Sequence, residues 1–122
     1  MSDPGPVELA GESYCYLTTT GRRSGEPRTI EIWFALAGGV LYMLAGGGQR
    51  SHWVRNIQRD PAVRVRIGSS EFVGAGRLVP PGDEDALARK LLFEKYAPGY
   101  RDDFTSWARE ALPVAIDLAA AG

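Results

Sequence analysis

The sequence predicts a mainly β domain, an antiparallel β-barrel with α-helices on its outside. Three observations lead there. Six short runs are rich in β-branched and aromatic residues, and several alternate apolar with polar positions. Most of these runs are joined by tight glycine-bearing turns, which suit antiparallel neighbours and leave no room for a helical crossover. The helical patterns collect in one short mid-chain segment and a late pair, whereas a Rossmann sheet needs helices between its strands. At 122 residues the chain suits a single domain, and a chain of this length buries roughly two thirds of its unfolded surface. The expected unit is residues 1–122. Residues 1–12, with two prolines, two glycines and three acids, form a loose lead-in.

Tyr14 to Thr20 is the first strand, β-branched and aromatic, ended by Gly21. Residues 21–27, Gly-Arg-Arg-Ser-Gly-Glu-Pro, form a turn in which two glycines permit positive φ and Pro27 closes. Arg28 to Leu36 is the second strand, with Ile30, Ile32 and Phe34 on one face. Gly38-Gly39 turns it back into a third, Val40 to Leu44. Three glycines, 46–48, follow. Ser51 stands as N-cap to a helix from His52 to Arg59 with Trp53, Val54 and Ile57 on its apolar side, stopped by Asp60-Pro61. Val63, Val65 and Ile67 alternate with Arg64 and Arg66 in a fourth strand, and Gly68-Ser69-Ser70 leads into a fifth, Glu71 to Val79. After Pro80-Pro81-Gly82 a helix begins at Asp83 or Asp85 and runs to about Tyr96 with Leu87, Leu91 and Leu92 inward. Ala97-Pro98-Gly99 breaks it, Asp102 to Leu112 is a third helix, and Pro113 to Leu118 is the closing strand.

Composition narrows the function classes. Hydrophobic content of 44% and charged content of 24% are those of a folded globular chain. The lone cysteine, Cys15, excludes an intrachain disulfide and, among Tyr14, Tyr16 and Leu17, reads as a buried thiol packed as a small hydrophobe. The start, Met-Ser-Asp-Pro-Gly-Pro, shows neither a basic leader nor an apolar stretch, and no apolar run approaches the roughly 20 residues that span a bilayer. A cytoplasmic protein without an integral membrane segment is expected. The net charge of −1 hides an asymmetry: residues 20–66 carry eight arginines against three acids, a balance of +5. Residues 83–117 carry eight acids against five bases, a balance of −3. The first stretch has no lysine, and guanidinium forks match phosphate and carboxylate geometry better than ammonium does. A local anionic ligand fits this pattern; a nucleic-acid surface does not, since the basic stretch is short and no recognition motif accompanies it.

Two segments suit such a ligand. In the first, Thr20-Gly21-Arg22-Arg23-Ser24-Gly25 with Arg28, a tight turn offers backbone N–H groups as a nest, two hydroxyls and three guanidiniums. The competing reading is a hairpin tip with solvated arginines. In the second, Gly46-Gly47-Gly48-Gln49-Arg50-Ser51 opens onto a helix, whose unpaired N–H groups and dipole favour negative charge. It is neither Gly-x-Gly-x-x-Gly nor a P-loop, and its competing reading is a flexible loop. Conventional catalysis is thinly provided for: His52 has no metal-binding companions and reads as a surface or capping residue. There is no Cys/His cluster, and no Gly-x-Ser-x-Gly elbow. A phosphorylated ligand without an acid–base set points to cofactor chemistry. Tyr96, Tyr100 and Phe104 recur at four-residue intervals and line one wall if the break at 98–99 is tight; plain core packing is the alternative.

Leu-Thr-Thr-Thr-Gly-Arg-Arg-Ser-Gly-Glu-Pro-Arg, then Ile-Trp-Phe, Gly-Gly-Gly-Gln-Arg-Ser-His-Trp-Val-Arg-Asn-Ile and Asp-Pro-x-Val-x-Val-x-Ile-Gly resemble the deazaflavin-dependent nitroreductase family. That family belongs to the flavin/deazaflavin oxidoreductases with a split β-barrel. The likeness covers residues 14–79, and Leu-Pro-Val-Ala-Ile-Asp-Leu at 112–118 resembles the family's last strand. It implies a split β-barrel of the pyridoxamine-phosphate-oxidase or FMN-binding type, with coenzyme F420 (8-hydroxy-5-deazaflavin) as cofactor. The implied activity is hydride transfer to a quinone, nitro compound or activated enone.

By position, Arg22, Arg23, Ser24 and Gly25, with Arg28 beside them, match the family's basic turn toward the phosphate and acidic tail. Gly47, Gly48, Arg50, Ser51, Trp53 and Asn56 match the loop and helix start that hold ring and linker. The family's Pro-Ala-Trp-Tyr-His-Asn is replaced here by Arg-Ser-His-Trp-Val-Arg-Asn, and its common turn lysine by Arg23. FMN or FAD on the same barrel is therefore the alternative coenzyme, and a non-catalytic coenzyme carrier the alternative role. Tyr96 and Tyr100 fall where family members place substrate-facing tyrosines, and with Ser51 or water they are the candidate proton donors. Open barrel edges leave room for a homodimer.

Overall fold

The computed structural model describes residues 9, 11–99 and 104–119. Seven strands form one antiparallel sheet: β1 (Cys15–Thr20), β2 (Pro27–Ile32), β3 (Ala35–Ala37), β4 (Val40–Ala45), β5 (Ala62–Ile67), β6 (Ser70–Leu78) and β7 (Leu112–Leu118). Their spatial order is β2-β1-β5-β6-β7-β4-β3, so the last strand lies between two made much earlier. The two edge strands are consecutive in sequence, and only Trp33 and Phe34 separate them. Two residues span roughly 7 Å, so the sheet must curl until its edges meet at that corner. The result is a mainly β, split-barrel fold with helices outside.

The interior follows from strand alternation. Cys15, Leu17 and Thr19 point inward from β1, and Val63, Val65 and Ile67 from β5. They meet Leu41, Met43, Val114, Ile116 and Phe34 in the core. Helix α1 (His52–Arg59) closes one end of it with Val54 and Ile57. A second cluster lies outside the barrel, where α2 (Asp83–Tyr96) and α3 (Phe104–Glu110) cover β3, β4 and β7 through Ala88, Leu92, Tyr96 and Ala108. Among the described residues no helix lies on the outer face of β1, β5 and β6, where Thr18, Arg64, Arg66 and Val73 stand.

Four expectations change. The described residues hold seven strands, because the run 28–36 divides at Trp33-Phe34. No glycine or proline breaks it there. The cause is tertiary: the Phe34 ring is fully buried, its N–H donates to Tyr96 Oη (3.1 Å) and its carbonyl accepts from Lys95 Nζ (2.9 Å), so its backbone leaves the ladder. Leu87 is 39% exposed, and the inward stripe of α2 runs Ala88, Leu92, Tyr96 at four-residue spacing instead. Ser51 holds the N-cap position of α1 but makes no side-chain cap bond. The third helix is shorter at its C-terminal end than 102–112, because Leu112 belongs to β7; residues 102 and 103 lie outside the described residues.

Candidate functional site

The two basic and glycine-rich segments, 27 residues apart at Arg22 and Gln49, come together at the start of α1. Arg22, at the tip of the β1–β2 hairpin, reaches the helix: its Nη2 donates to His52 Nδ1 (3.2 Å) and its Nη1 lies 3.5 Å from His52 O. Its Nη1 and backbone N–H both donate to Asn56 Oδ1, at 3.0 and 3.2 Å. Asn56 Nδ2 in turn donates to Thr19 Oγ1 at 3.1 Å. Asn56 is 4% exposed and Thr19 2%. Two polar residues sit in the core here, and their mutual bonds remove the cost of burying them unpaired.

The turn itself is closed by its own hydrogen bonds. Gly21 N–H donates to Glu26 O and Gly25 N–H to Gly21 O, each at 2.8 Å, and Glu26 N–H donates to Ser24 Oγ. Gly25 takes the positive φ (+74°) the turn requires. Three of the turn's six amides are thus spent internally and that of Arg22 on Asn56, so among the described hydrogen bonds the expected nest of N–H groups reduces to Arg23 and Ser24. Attraction for an anion rests mainly on side chains: Arg23, Ser24, Arg28 and Arg50 are exposed. Arg28 meets Glu26 at 3.8 Å with both side chains largely in solvent, a pairing too screened to neutralise it.

The glycine loop is shaped by what its missing side chains admit. The Trp107 indole Nε1 lies 3.7 Å from where a Cβ on Gly46 would stand, and Ser51 Oγ only 2.7 Å from one on Gly47. Gly48 adopts φ +58° with open space beside it. Ser51 Oγ therefore covers the Gly47 backbone rather than capping the helix. Residues 48–50 make one turn of 3-10 helix before α1. Behind the loop, Trp33 stacks on Tyr96 (centroids 4.5 Å apart, 8° between planes) and meets Trp107 edge-on at 5.5 Å. No local pattern in the sequence marks this aromatic corner, whose other members are 63 or more residues from Trp33.

The other predicted residues separate. Trp53 is half-buried and packs on the barrel core. Tyr96 is 7% exposed; its hydroxyl donates to Ser13 O at 2.7 Å, with Phe34 O at 3.1 Å, and accepts from Phe34 N–H. That hydroxyl is committed to backbone. Tyr100, and the side chain of Phe104, lie outside the described residues. Thr20 and Gly25 line a groove of about 630 Å³ that also takes in Thr18, Arg64, Val73 and Asp117 on the uncovered sheet face, a size common to small-molecule sites, roughly 300–1,000 Å³.

Sequence alone did not single out Thr19 or the His52–Arg22 contact. A signal existed: Thr19 falls on the inward register of Cys15 and Leu17, and Asn56 on the apolar side of α1, so each needed a buried partner. Cys15 is fully buried as expected, and burial pushes its thiol up to about 12 against a smaller opposing pull from Lys95. It stays protonated. Among the described residues no group of three His, Cys, Asp or Glu could hold a metal, and no helix is long and apolar enough to cross a membrane.

A model of the F420H(2)-dependent quinone reductase family matches residues 5–119. An F420H(2)-dependent quinone reductase of Mycobacterium tuberculosis (strain ATCC 25618 / H37Rv) is 30% identical over 104 residues, which cover 82% of this chain and 69% of that protein. Among solved structures, an F420-H2 dependent reductase is 27% identical with a TM-score of 0.68, covering 88% of this chain and 94% of its own. An F420 reductase at 23% identity superposes with a TM-score of 0.71 over 98% of this chain and 97% of its own, a likeness of fold.

Proposed function

The chain belongs to the F420H(2)-dependent quinone reductase family, whose coenzyme is F420, and from that premise we propose that it reduces an electron-poor acceptor of the quinone type. Nitro compounds and activated enones are electronically similar acceptors and belong to the same proposal. When bound, the reduced deazaflavin supplies a hydride equivalent; the protein's part is to orient, to neutralise charge and to provide a proton.

The observation that carries the reading is the meeting of the Arg22 turn with the Gly46–Ser51 loop at the head of α1. The coenzyme's tail carries a phosphodiester and glutamates. Arg23, Arg28 and Arg50 present exposed guanidiniums to such a polyanion, and Thr20 and Ser24 add hydroxyls. Gly48 lets a planar ring or its linker approach the backbone, since it has open space where a side chain would stand, while Gly47, covered by Ser51 Oγ, shapes the loop beside it. The residues present fit the coenzyme in both respects. Transfer needs the two reactants held at contact distance, and orientation of this kind accounts for much of the rate in such reactions. With the Tyr96 hydroxyl committed to Ser13, the proton falls to Ser51, Tyr100 or water.

The test is a fluorescence titration of the protein with coenzyme F420, FMN and FAD in parallel at low salt. Saturable binding of the deazaflavin, weakening as salt is added and weakened further by Arg23→Ala or Arg28→Ala, is the expected result. Preference for FMN or FAD would change the coenzyme and keep the fold; binding of none would overturn the reading. Coenzyme binding without turnover on a panel of quinones, nitroaromatics and enones would make the protein a carrier instead. Pairing of two copies would use the edge strands β2 and β3, and light scattering at working concentration decides it.

A further inference from the structure

We propose that Asn56 is a positioning residue that holds the basic turn in its anion-receiving shape through Arg22, without touching the ligand. What the turn receives rests on the functional reading above; how it is held rests on geometry. The Asn56 side chain is buried, and its atoms already serve the protein: Oδ1 accepts twice from Arg22, and Nδ2 donates to Thr19. Arg22 is equally committed, with its guanidinium spread over Asn56 Oδ1, His52 Nδ1 and His52 O. Its charge still adds to the local field, but its fork points at the helix and away from any ligand.

The consequence concerns the neighbours. The bonds that close the turn, Gly21 to Glu26 and Gly25 to Gly21, lie within the hairpin and fix its internal shape only. Among the described residues, the hydrogen bonds from residues 21–26 to α1 all come from Arg22. Asn56 therefore sets where Arg23 and Ser24 stand relative to Arg50 and the glycine loop. Without it the turn must be ordered by the ligand itself, and the loss appears in affinity rather than in the chemical step. Arg22 fixes the amide's orientation: both its groups can only donate, so Oδ1 must face them, and Nδ2 is left to the Thr19 hydroxyl.

The experiment compares the wild-type protein with Asn56→Ala and Asn56→Asp. Its readouts are dissociation constants for coenzyme F420 and for inorganic pyrophosphate, kcat and KM with a soluble quinone, and amide hydrogen exchange across residues 21–26. Asn56→Ala is expected to raise both dissociation constants about tenfold while kcat at saturating coenzyme stays within about twofold. Exchange in the turn should quicken as the β5–β6 ladder keeps its protection. Asn56→Asp is expected to restore most of the affinity, because one carboxylate oxygen accepts from Arg22 and the other from the Thr19 hydroxyl. A fall in kcat at unchanged affinity would overturn the proposal. So would an aspartate variant as weak as alanine, or turn amides that exchange as before. If Asn56→Ala does not fold, His52→Ala at its exposed position removes one Arg22 acceptor and should raise the same constants several-fold; unchanged constants there count against the brace. If the wild-type protein binds neither probe, the functional reading falls, while exchange still decides whether Asn56 holds the turn.

Discussion

Tyr96 shows how a candidate proton donor becomes a structural pin once its surroundings are known. Its hydroxyl serves Ser13 O and Phe34 N–H at once, so Tyr96→Phe leaves backbone groups of two segments without a partner. A loss of about 1–3 kcal/mol in unfolding free energy is expected, read by urea denaturation, with the pH profile of kcat unchanged. Undiminished stability with lost turnover would return Tyr96 to the chemistry. Its neighbour Lys95 carries a pH signature. Burial brings its ammonium down to about 8, against smaller opposing pulls from Cys15 and Glu12. A base whose folded value is lowered binds fewer protons than the unfolded chain between about 8 and its ordinary 10.5, so stability rises with pH across that window. Lys95→Met should flatten the rise in a series of thermal melts. At this scale the candidate anion-binding residues were legible because arginine, glycine and serine cluster in sequence. For Thr19 the inward register shows that a buried partner is needed, but not which one, and His52 carries no such sign, since a contact across 30 or more residues is not written locally.

At the scale of elements, β6 meets α1 through absence of side chains. A Cβ on Gly76 would stand 2.8 Å from Ile57 Cγ2 and 3.2 Å from Ile116 Cδ1, both in the packed interior. Gly76→Ala is therefore expected to cost about 1–3 kcal/mol through overpacking, seen as a lower denaturation midpoint with the slope retained. Gly68→Ala, in the exposed β5–β6 turn at φ +60°, tests strain with only the Glu12 side chain nearby. Strand and helix positions were read well wherever periodicity and punctuation agreed, as in β5 with Val63, Val65 and Ile67, or α2 from Asp83 to Tyr96. The break at Trp33-Phe34 escaped notice because Tyr96 and Lys95, some sixty residues later, impose it. Leu87 misled for a related reason. Leucine spacing marked a stripe, but the closely packed positions against β4 and β7 are taken by Ala88 and Leu92.

Across the whole molecule, one polar network binds the outer helix α2 to three strands of the barrel. Arg77 on β6 makes a two-pronged pair with Glu84 on α2 (2.6 and 2.7 Å) and another with Asp117 on β7, while the Tyr42 hydroxyl of β4 donates to Glu84 at 2.8 Å. The Arg77 bonds, followed by that of Tyr42, hold the Glu84 carboxyl down at about 2. A carboxylate with a depressed folded value stabilises fully above its ordinary 4.5 and loses that contribution as pH falls through about 2. Glu84→Gln should reduce the fall in stability between those limits, measured as chemical-denaturation midpoints at stepped pH. Barrel class was legible from six strand-like runs and short turns; the order of strands was not, because pairing over long separations is written in no local pattern. That order has a consequence for biosynthesis. β7 bonds to β4 on one side and β6 on the other, yet 66 residues separate Ala45 from Leu112. At about 5–20 residues per second, a ribosome takes several seconds to supply the missing strand. The edge of β4 waits through that interval and the edge of β6 joins it once residue 78 is made, which makes yield in the cell a contest between the arrival of residues 112–118 and capture by a neighbouring polypeptide.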